Sequence, residues 1–130
     1  MRIKEVMKSV KTIDPDSSVK EAAKRMAENK IGCLVVLNSG KVVGIMTERD
    51  ILSKVTASDK LPSKISVSEI MTPKVITVES EDYLDDAVYL MIKHRIKKLP
   101  VLEKNKLVGM ITSTDIVSHS DDIGQFFIFG

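Results

Sequence analysis

The sequence predicts a mixed α+β protein made of two pseudo-twofold-related β-α-β-β-α repeats packed sheet to sheet. Three observations carry that prediction. Residues 12–51 align with residues 77–116 without a gap, at a constant shift of 65. Within each copy, short β-branched runs alternate with segments of helical apolar spacing. Each copy also closes on the same apolar run, VVGIMTERDI at Val42–Ile51 and LVGMITSTDI at Leu107–Ile116.

The repeat rests on thirteen identities among forty aligned positions: Thr12, Ala22, Met26, Ile31, Leu34, Val36, Leu37, Lys41, Val43, Gly44, Thr47, Asp50 and Ile51. Unrelated chains would match at about one position in fifteen, so the chain is a tandem duplication. The openings correspond as well: IKEVMKS (Ile3–Ser9) resembles VSEIMTP (Val67–Pro73), with one residue inserted in the second copy. Leu52–Ser66 joins the halves, and its polar stretch Thr56–Lys60 with Pro62 marks the break. The expected division is 1–60 for the first repeat and 61–130 for the second.

Each half begins with a β-branched strand, Val10–Ile13 or Val75–Val78. A helix follows, with Val19, Ala22, Ala23 and Met26 at i, i+3, i+4 and i+7. Leu84, Ala87, Val88 and Met91 repeat that spacing. Ser18 with Glu21 forms a capping box at the first helix, and Asp82 is the cap expected at the second. Cys33–Leu37 and Val42–Met46 then make a hairpin through Asn38-Ser39-Gly40. The second hairpin turns at Asn105, and Pro100 puts its strand start at an edge or an irregularity. A last helix begins after Thr47 and after Thr112. A unit of about 60 residues has a marginal core, so the halves are expected to dock through apolar faces and to form paired clefts.

Composition excludes several classes of function. Twenty Lys and Arg against eighteen Asp and Glu give a net charge of +2, too balanced for a nucleic-acid or membrane surface. The lone Cys33 sits in an apolar run, permits no internal disulfide and fits a reducing compartment. No signal-peptide pattern or membrane-length run occurs, so a cytoplasmic protein is expected. His94 and His119 have no partners at metal-ligand spacing. No Ser-His-Asp or Cys-His arrangement and no glycine-rich phosphate loop is present, so no catalytic residues are assigned. The basic run Lys93–Lys98 lacks interleaved aromatics and reads as a solvated helix end. The tail Gly124–Gly130 holds all three phenylalanines; it admits a fold-back onto the core, an oligomer contact or a disordered end.

The Thr-x-x-Asp element has two readings that share one geometry. Thr as N-cap with Asp three residues on is a capping box. The same helix start offers free amides to a phosphate, and an ionised Asp can accept two hydrogen bonds from a vicinal diol such as that of ribose.

With these residues in place, the two copies resemble a tandem pair of cystathionine β-synthase (CBS) domains, a Bateman module, from about Ile3 to His119. The resemblance is carried by IKEVMKS and VSEIMTP, GCLVVL and KKLPVL, and GIMTERDI and GMITSTDI. It implies a homodimer that binds AMP, ADP or ATP in clefts between repeats and regulates a partner protein; S-adenosylmethionine or NAD-type ligands, or a ligand-free scaffold, are the alternatives. Carried over by position, the first cleft would use Asp115 on the ribose with Thr112 and Thr114 nearby and Lys98 on the phosphates. Ser17, Ala22, Ile31 and Gly32 would complete it. The second would use Asp50, Thr47 and Arg49 with Asp82, Ala87, Ile96 and Lys97. The Asp115 cleft, with Lys97-Lys98 where the first repeat has Gly32-Cys33, is the expected better nucleotide binder.

Overall fold

A computed structural model describes residues 1–119; the Phe-rich tail, and with it the expectation of a core, oligomer or disordered role for it, lies outside the described residues. The elements are β1 (Thr12–Ile13), α1 (Val19–Asn29), β2 (Cys33–Asn38), β3 (Lys41–Thr47), α2 (Glu48–Ile51), α3 (Val67–Ile70), β4 (Val78–Glu79), α4 (Leu84–His94), β5 (Lys98–Glu103), β6 (Lys106–Thr112) and α5 (Ser113–Val117). They form two three-stranded sheets, ordered β1-β2-β3 and β4-β5-β6. In each, the first pair is parallel and the second antiparallel. The mixed α+β class and the repeated β-α-β-β-α order are therefore as the sequence predicts.

The chain forms two compact units: Val10–Val75, called here the central unit, and Met1–Ser9 together with the chain from Ile76 on, the terminal unit. This division differs from a cut at residue 60, because each opening segment packs with the other repeat's sheet. In the terminal unit, Ile3 N donates to Asp82 O and Lys4 N to Ser80 O, at 2.8 and 3.0 Å. Lys8 and Met110 exchange both backbone hydrogen bonds at 2.9 Å. In the central unit, Val67 N donates to Ser17 O at 2.8 Å, and Ile45 and Thr72 exchange bonds at 3.0 and 2.8 Å. The physical cause is apolar burial. Ile3 and Val6 complete the core around Leu84, Ala87, Leu99, Val101 and Ile111, while Val67 and Ile70 complete that around Val19, Ala22, Leu34, Val36 and Met46. Fully burying one such side chain contributes about 1.5–3 kcal/mol.

The motif glycines belong to this docking. A Cβ on Gly109 would stand 2.9 Å from Lys8 O and from Met7 Sδ; one on Gly44 would stand 2.5 Å from Met71 Sδ and 3.1 Å from Thr72 O. The bare Cα gives the opening segment room to lie across the edge strand, which it also covers; at Gly109 the close atom is backbone, at Gly44 it is the flexible Met71 side chain.

Local geometry follows the duplication closely. Both hairpins turn in two residues with positive φ, Ser39 and Gly40 at 52° and 80°, and Lys104 and Asn105 at 51° and 65°; two successive positive φ values match the twist of the flanking strands. The helices α1 and α4 both end on left-handed basic residues, Lys30 and Arg95. After them Ile31 N and Ile96 N return to Met26 O and Met91 O at 3.0 Å, a Schellman-type closure.

Four expectations change. The strand expected over Val75–Val78 is Val78–Glu79. Pairing Thr12↔Val35 and Ile13↔Val36 in one sheet becomes Val78↔Val101 and Glu79↔Leu102 in the other. The matching Thr77↔Pro100 pair is lost because Pro100 has no N–H to mirror Val35 N→Lys11 O at 3.1 Å. Proline thus sits in the central strand, at a point its parallel neighbour has not yet reached. The first strand is likewise shorter than Val10–Ile13 and covers Thr12–Ile13. Asp82 is not the cap of α4: that residue is Tyr83, whose N donates to Asp86 Oδ2 at 2.9 Å, and Asp82 Oδ2 accepts from Glu79 N. The gapless register explains this, since Ser18 aligns with Tyr83 and Asp82 with Ser17. At α1, Ser18 Oγ accepts from Glu21 N at 3.1 Å, but the Glu21 carboxylate faces Arg25 at 3.7 Å instead of closing the box.

Candidate functional site

The Thr-x-x-Asp elements sit where an edge strand passes directly into a short helix, and both are complete capping boxes. Asp50 N donates to Thr47 Oγ1 at 3.2 Å, while Asp50 Oδ2 accepts from Thr47 N and Oγ1 at 2.9 and 3.1 Å. The second copy repeats this: Asp115 N to Thr112 Oγ1 at 3.1 Å, and Asp115 Oδ2 from Thr112 N and Oγ1 at 3.0 and 2.9 Å. The first amide of each helix is also satisfied, Glu48 N by Gly32 O at 3.0 Å and Ser113 N by Lys97 O at 2.9 Å. Two of the first three helix amides are therefore spent on the fold, which weakens the amide half of the ligand reading. What remains for recognition is the second carboxylate oxygen, Oδ1.

At Oδ1 the two copies part. Lys54 Nζ stands 3.0 Å from Asp50 Oδ1 and donates to Ile70 O at 2.9 Å. Asp50 is buried, with 7% of its surface exposed. The position matching Lys54 is His119, whose Nδ1 lies 3.0 Å from the backbone oxygen of Asp115 and not at its carboxylate. Asp115 is half-buried, and its Oδ1 has no ion-pair partner among the described residues. Lys54 is not among the residues the sequence points to; its i,i+4 spacing from Asp50 is the signal that could have found it.

Other site candidates fall as follows. Lys98 is the cross-strand partner of Thr112, as Cys33 is of Thr47. Directly opposed residues share a sheet face, their Cβ atoms about 5 Å apart, so the stem of a lysine stands beside Thr112 where the other copy has a buried thiol beside Thr47. Thr114 and Arg49 are exposed second residues of their helices. Ala22 and Ala87 are fully buried in the two cores. Ile31 and Gly32 line an open pocket of about 380 Å³ with Ala23, Met26, Lys30 and Glu48. Ser17 lines a different one of about 330 Å³, with Thr12, Asp14 and Arg25. Neither pocket includes Asp50 or Asp115. The predicted first set thus takes Ser17, Ala22, Ile31 and Gly32 from the central unit and Lys98, Thr112, Thr114 and Asp115 from the terminal unit. The second takes Thr47, Arg49 and Asp50 from the central unit and Asp82, Ala87, Ile96 and Lys97 from the terminal unit. No group of three or more metal-ligating side chains occurs among the described residues, and no helix there is long and apolar enough to cross a membrane.

Comparison with known proteins adds to this geometry. A family model described as the CBS domain matches residues 3–57 and 67–122. An uncharacterised protein of Methanopyrus kandleri is 38% identical over 112 residues, covering 85% of this chain and 57% of its own length. The chain spans 76% of a CBS domain-containing protein of Bacillus subtilis and 22% of an inosine-5′-monophosphate dehydrogenase of Nitrosopumilus maritimus. Among solved structures, a CBS-domain protein from Burkholderia ambifaria superposes with a TM-score of 0.85 at 34% identity, covering 98% of this chain and 99% of its own. A CBS domain pair solved in complex with 5′-methylthioadenosine and S-adenosyl-L-methionine superposes with a TM-score of 0.80 at 30% identity, covering 94% of this chain and 97% of its own.

Proposed function

This chain belongs to the CBS-domain family and carries a tandem pair of its domains, and from that premise we propose that it is a non-catalytic regulatory module. It binds an adenosine-containing ligand and passes the binding event to a partner protein. The observation that carries the reading is the Asp115 carboxylate. Oδ2 is clamped by Thr112 N and Oγ1 at 3.0 and 2.9 Å, which fixes the group's orientation. Oδ1 is left to accept from a ribose diol. Lys98, opposite Thr112 across the hairpin, supplies a cation for a phosphate, which favours AMP, ADP or ATP; the two ligands in the complex of the structural relative, both adenosine derivatives, support the adenosine part. Asp50, Thr47 and Arg49 are the corresponding residues of the other repeat. A homodimer and an effector protein complete the proposal, on the family resemblance alone.

A scaffold without ligand is the second reading, favoured by the completeness of both capping boxes. Thermal unfolding with AMP, ADP, ATP, NAD, 5′-methylthioadenosine and S-adenosyl-L-methionine separates the two. A ligand at about 100 times its dissociation constant stabilises by about 2.7 kcal/mol. Losing a charged hydrogen-bond acceptor costs about 1.5–3 kcal/mol, so Asp115→Ala should weaken binding about ten- to a hundredfold. No stabilisation by any of the six at millimolar concentration leaves the scaffold standing. An Asp115→Ala protein that melts earlier but binds unchanged makes the carboxylate a cap and nothing more.

A further inference from the structure

We propose that Lys54 is an internal occupant of the Asp50 carboxylate, and that it limits the chain to a single adenosine-type ligand, bound at Asp115. The proposal rests on the ligand reading above and concerns how many of the two equivalent carboxylates are open.

Both repeats commit Oδ2 of the aspartate to their own threonine. Recognition of a diol therefore depends on Oδ1. At Asp50 that oxygen holds the Lys54 ammonium at 3.0 Å, and the same ammonium donates to Ile70 O at 2.9 Å. Lys54 is tethered from both sides, by a nearly buried carboxylate and by the last residue of α3. A diol arriving at Asp50 must break an ion pair and also strip Ile70 O of its donor. A hydroxyl can donate a charge-assisted hydrogen bond to the carboxylate but brings no net positive charge, whereas the ammonium supplies both the hydrogen bond and the opposite charge at a nearly buried group.

The shift that aligns Asp50 with Asp115 aligns Lys54 with His119. The imidazole lies against the backbone oxygen of Asp115, with Ser118 Oγ 3.2 Å away, and leaves the carboxylate to solvent or ligand. Lysine in one copy and histidine in the other therefore close one site and leave the other open. Nothing else in the capping geometry distinguishes the two aspartates: the three bonds of each box agree within 0.2 Å.

Isothermal titration of the intact chain with 5′-methylthioadenosine, and separately with AMP, tests this. Wild type should bind one equivalent per chain. Lys54→His, which installs the residue of the other repeat, should bind two. Asp115→Ala combined with Lys54→His should retain one. The converse change, His119→Lys, carries the latch to Asp115 and should weaken the wild-type site at least about tenfold. Circular dichroism melting establishes that each variant is folded; if Lys54→His does not fold, His119→Lys decides alone. Two equivalents in wild type, one in a folded Lys54→His, or unchanged affinity in His119→Lys each overturn the latch while leaving the ligand reading intact. Absence of binding by both wild type and Lys54→His overturns the ligand reading and the latch together.

Discussion

Replacing either motif glycine by alanine probes the exchange of opening segments, and the two substitutions should differ in a way the geometry fixes. At Gly109 the new methyl would meet Lys8 O and Met7 Sδ, both at 2.9 Å, and Met7 Cγ at 3.2 Å. The carbonyl is backbone and belongs to the paired Lys8–Met110 bonds, so it cannot move without breaking them. Overpacking costs about 1–3 kcal/mol, and two net backbone hydrogen bonds add about 1–3 kcal/mol; allowing for partial relaxation, about 2–4 kcal/mol is expected. At Gly44 the closest atoms are Met71 Sδ and Cγ, at 2.5 and 2.9 Å, and the backbone Thr72 O stands off at 3.1 Å. Methionine is half-buried there and flexible, so Gly44→Ala should cost about 1–2 kcal/mol by rotamer change. Urea unfolding gives the overall cost, and amide exchange at Lys8 and Met110 locates it. Met71→Ala should recover most of the Gly44→Ala penalty in a double-mutant cycle, whereas Met7→Ala should recover little of the Gly109→Ala penalty. An equal cost at both glycines, or full rescue by Met7→Ala, would refute the claim that the opening segment is pinned through its backbone.

Two further outcomes follow from the same contacts. The Lys4 hydrogen bond and charge hold Glu81 below the usual carboxylate range, and Glu81 raises Lys4 above the usual lysine range. A depressed carboxylate contributes above its unfolded pKa of 4.5 and loses that contribution as pH falls below it; a raised lysine contributes below 10.5 and loses it as pH rises above its folded value. Exchange at Ile3 and Lys4 amides should therefore accelerate, beyond its intrinsic pH dependence, in strong acid and strong base but not between. A protection profile that stays flat through both the acid and the base limb would show that the pair contributes nothing. Pro100→Val should restore the missing parallel pair and give residue 100 an amide as protected as that of Val35. An unprotected amide at 100 would place the cause of the short β4 elsewhere.

Much of the fold was legible because it is local and duplicated. Apolar spacing placed α1 and α4, the two-residue turns placed the hairpins, and Thr47 and Thr112 announced the helix starts. The exchange of openings was not legible: apolar spacing records that Ile3, Val6, Val67 and Ile70 are buried, but not against which sheet. Asp82 has the chemistry of a cap but not the register, since the shift of 65 matches it to Ser17 and matches Tyr83 to the capping Ser18. Pro100 signalled an irregularity correctly, but its central-strand position depends on where β4 begins, a tertiary fact. In the candidate site the capping bonds could be foreseen and the fate of Oδ1 could not, because Lys54 reads as the start of a linker.

Duplication makes each repeat a control for the other. Features present in both copies have structural explanations: Gly44 and Gly109 admit the opening segment, Thr47 and Thr112 cap, and one oxygen of each aspartate closes the box. Those features would be needed in a protein that bound nothing. The differences around the two aspartates are not needed for the capping boxes, whose bonds coincide without them. Lys98 stands where Cys33 does, Lys97 where Gly32 does, Thr114 where Arg49 does, and His119 where Lys54 does. All four exchanges alter the formal side-chain charge at their positions. Any ligand that distinguishes the two carboxylates must do so through these unequal positions, and mutagenesis aimed at them separates recognition from folding where mutagenesis of the shared motif cannot.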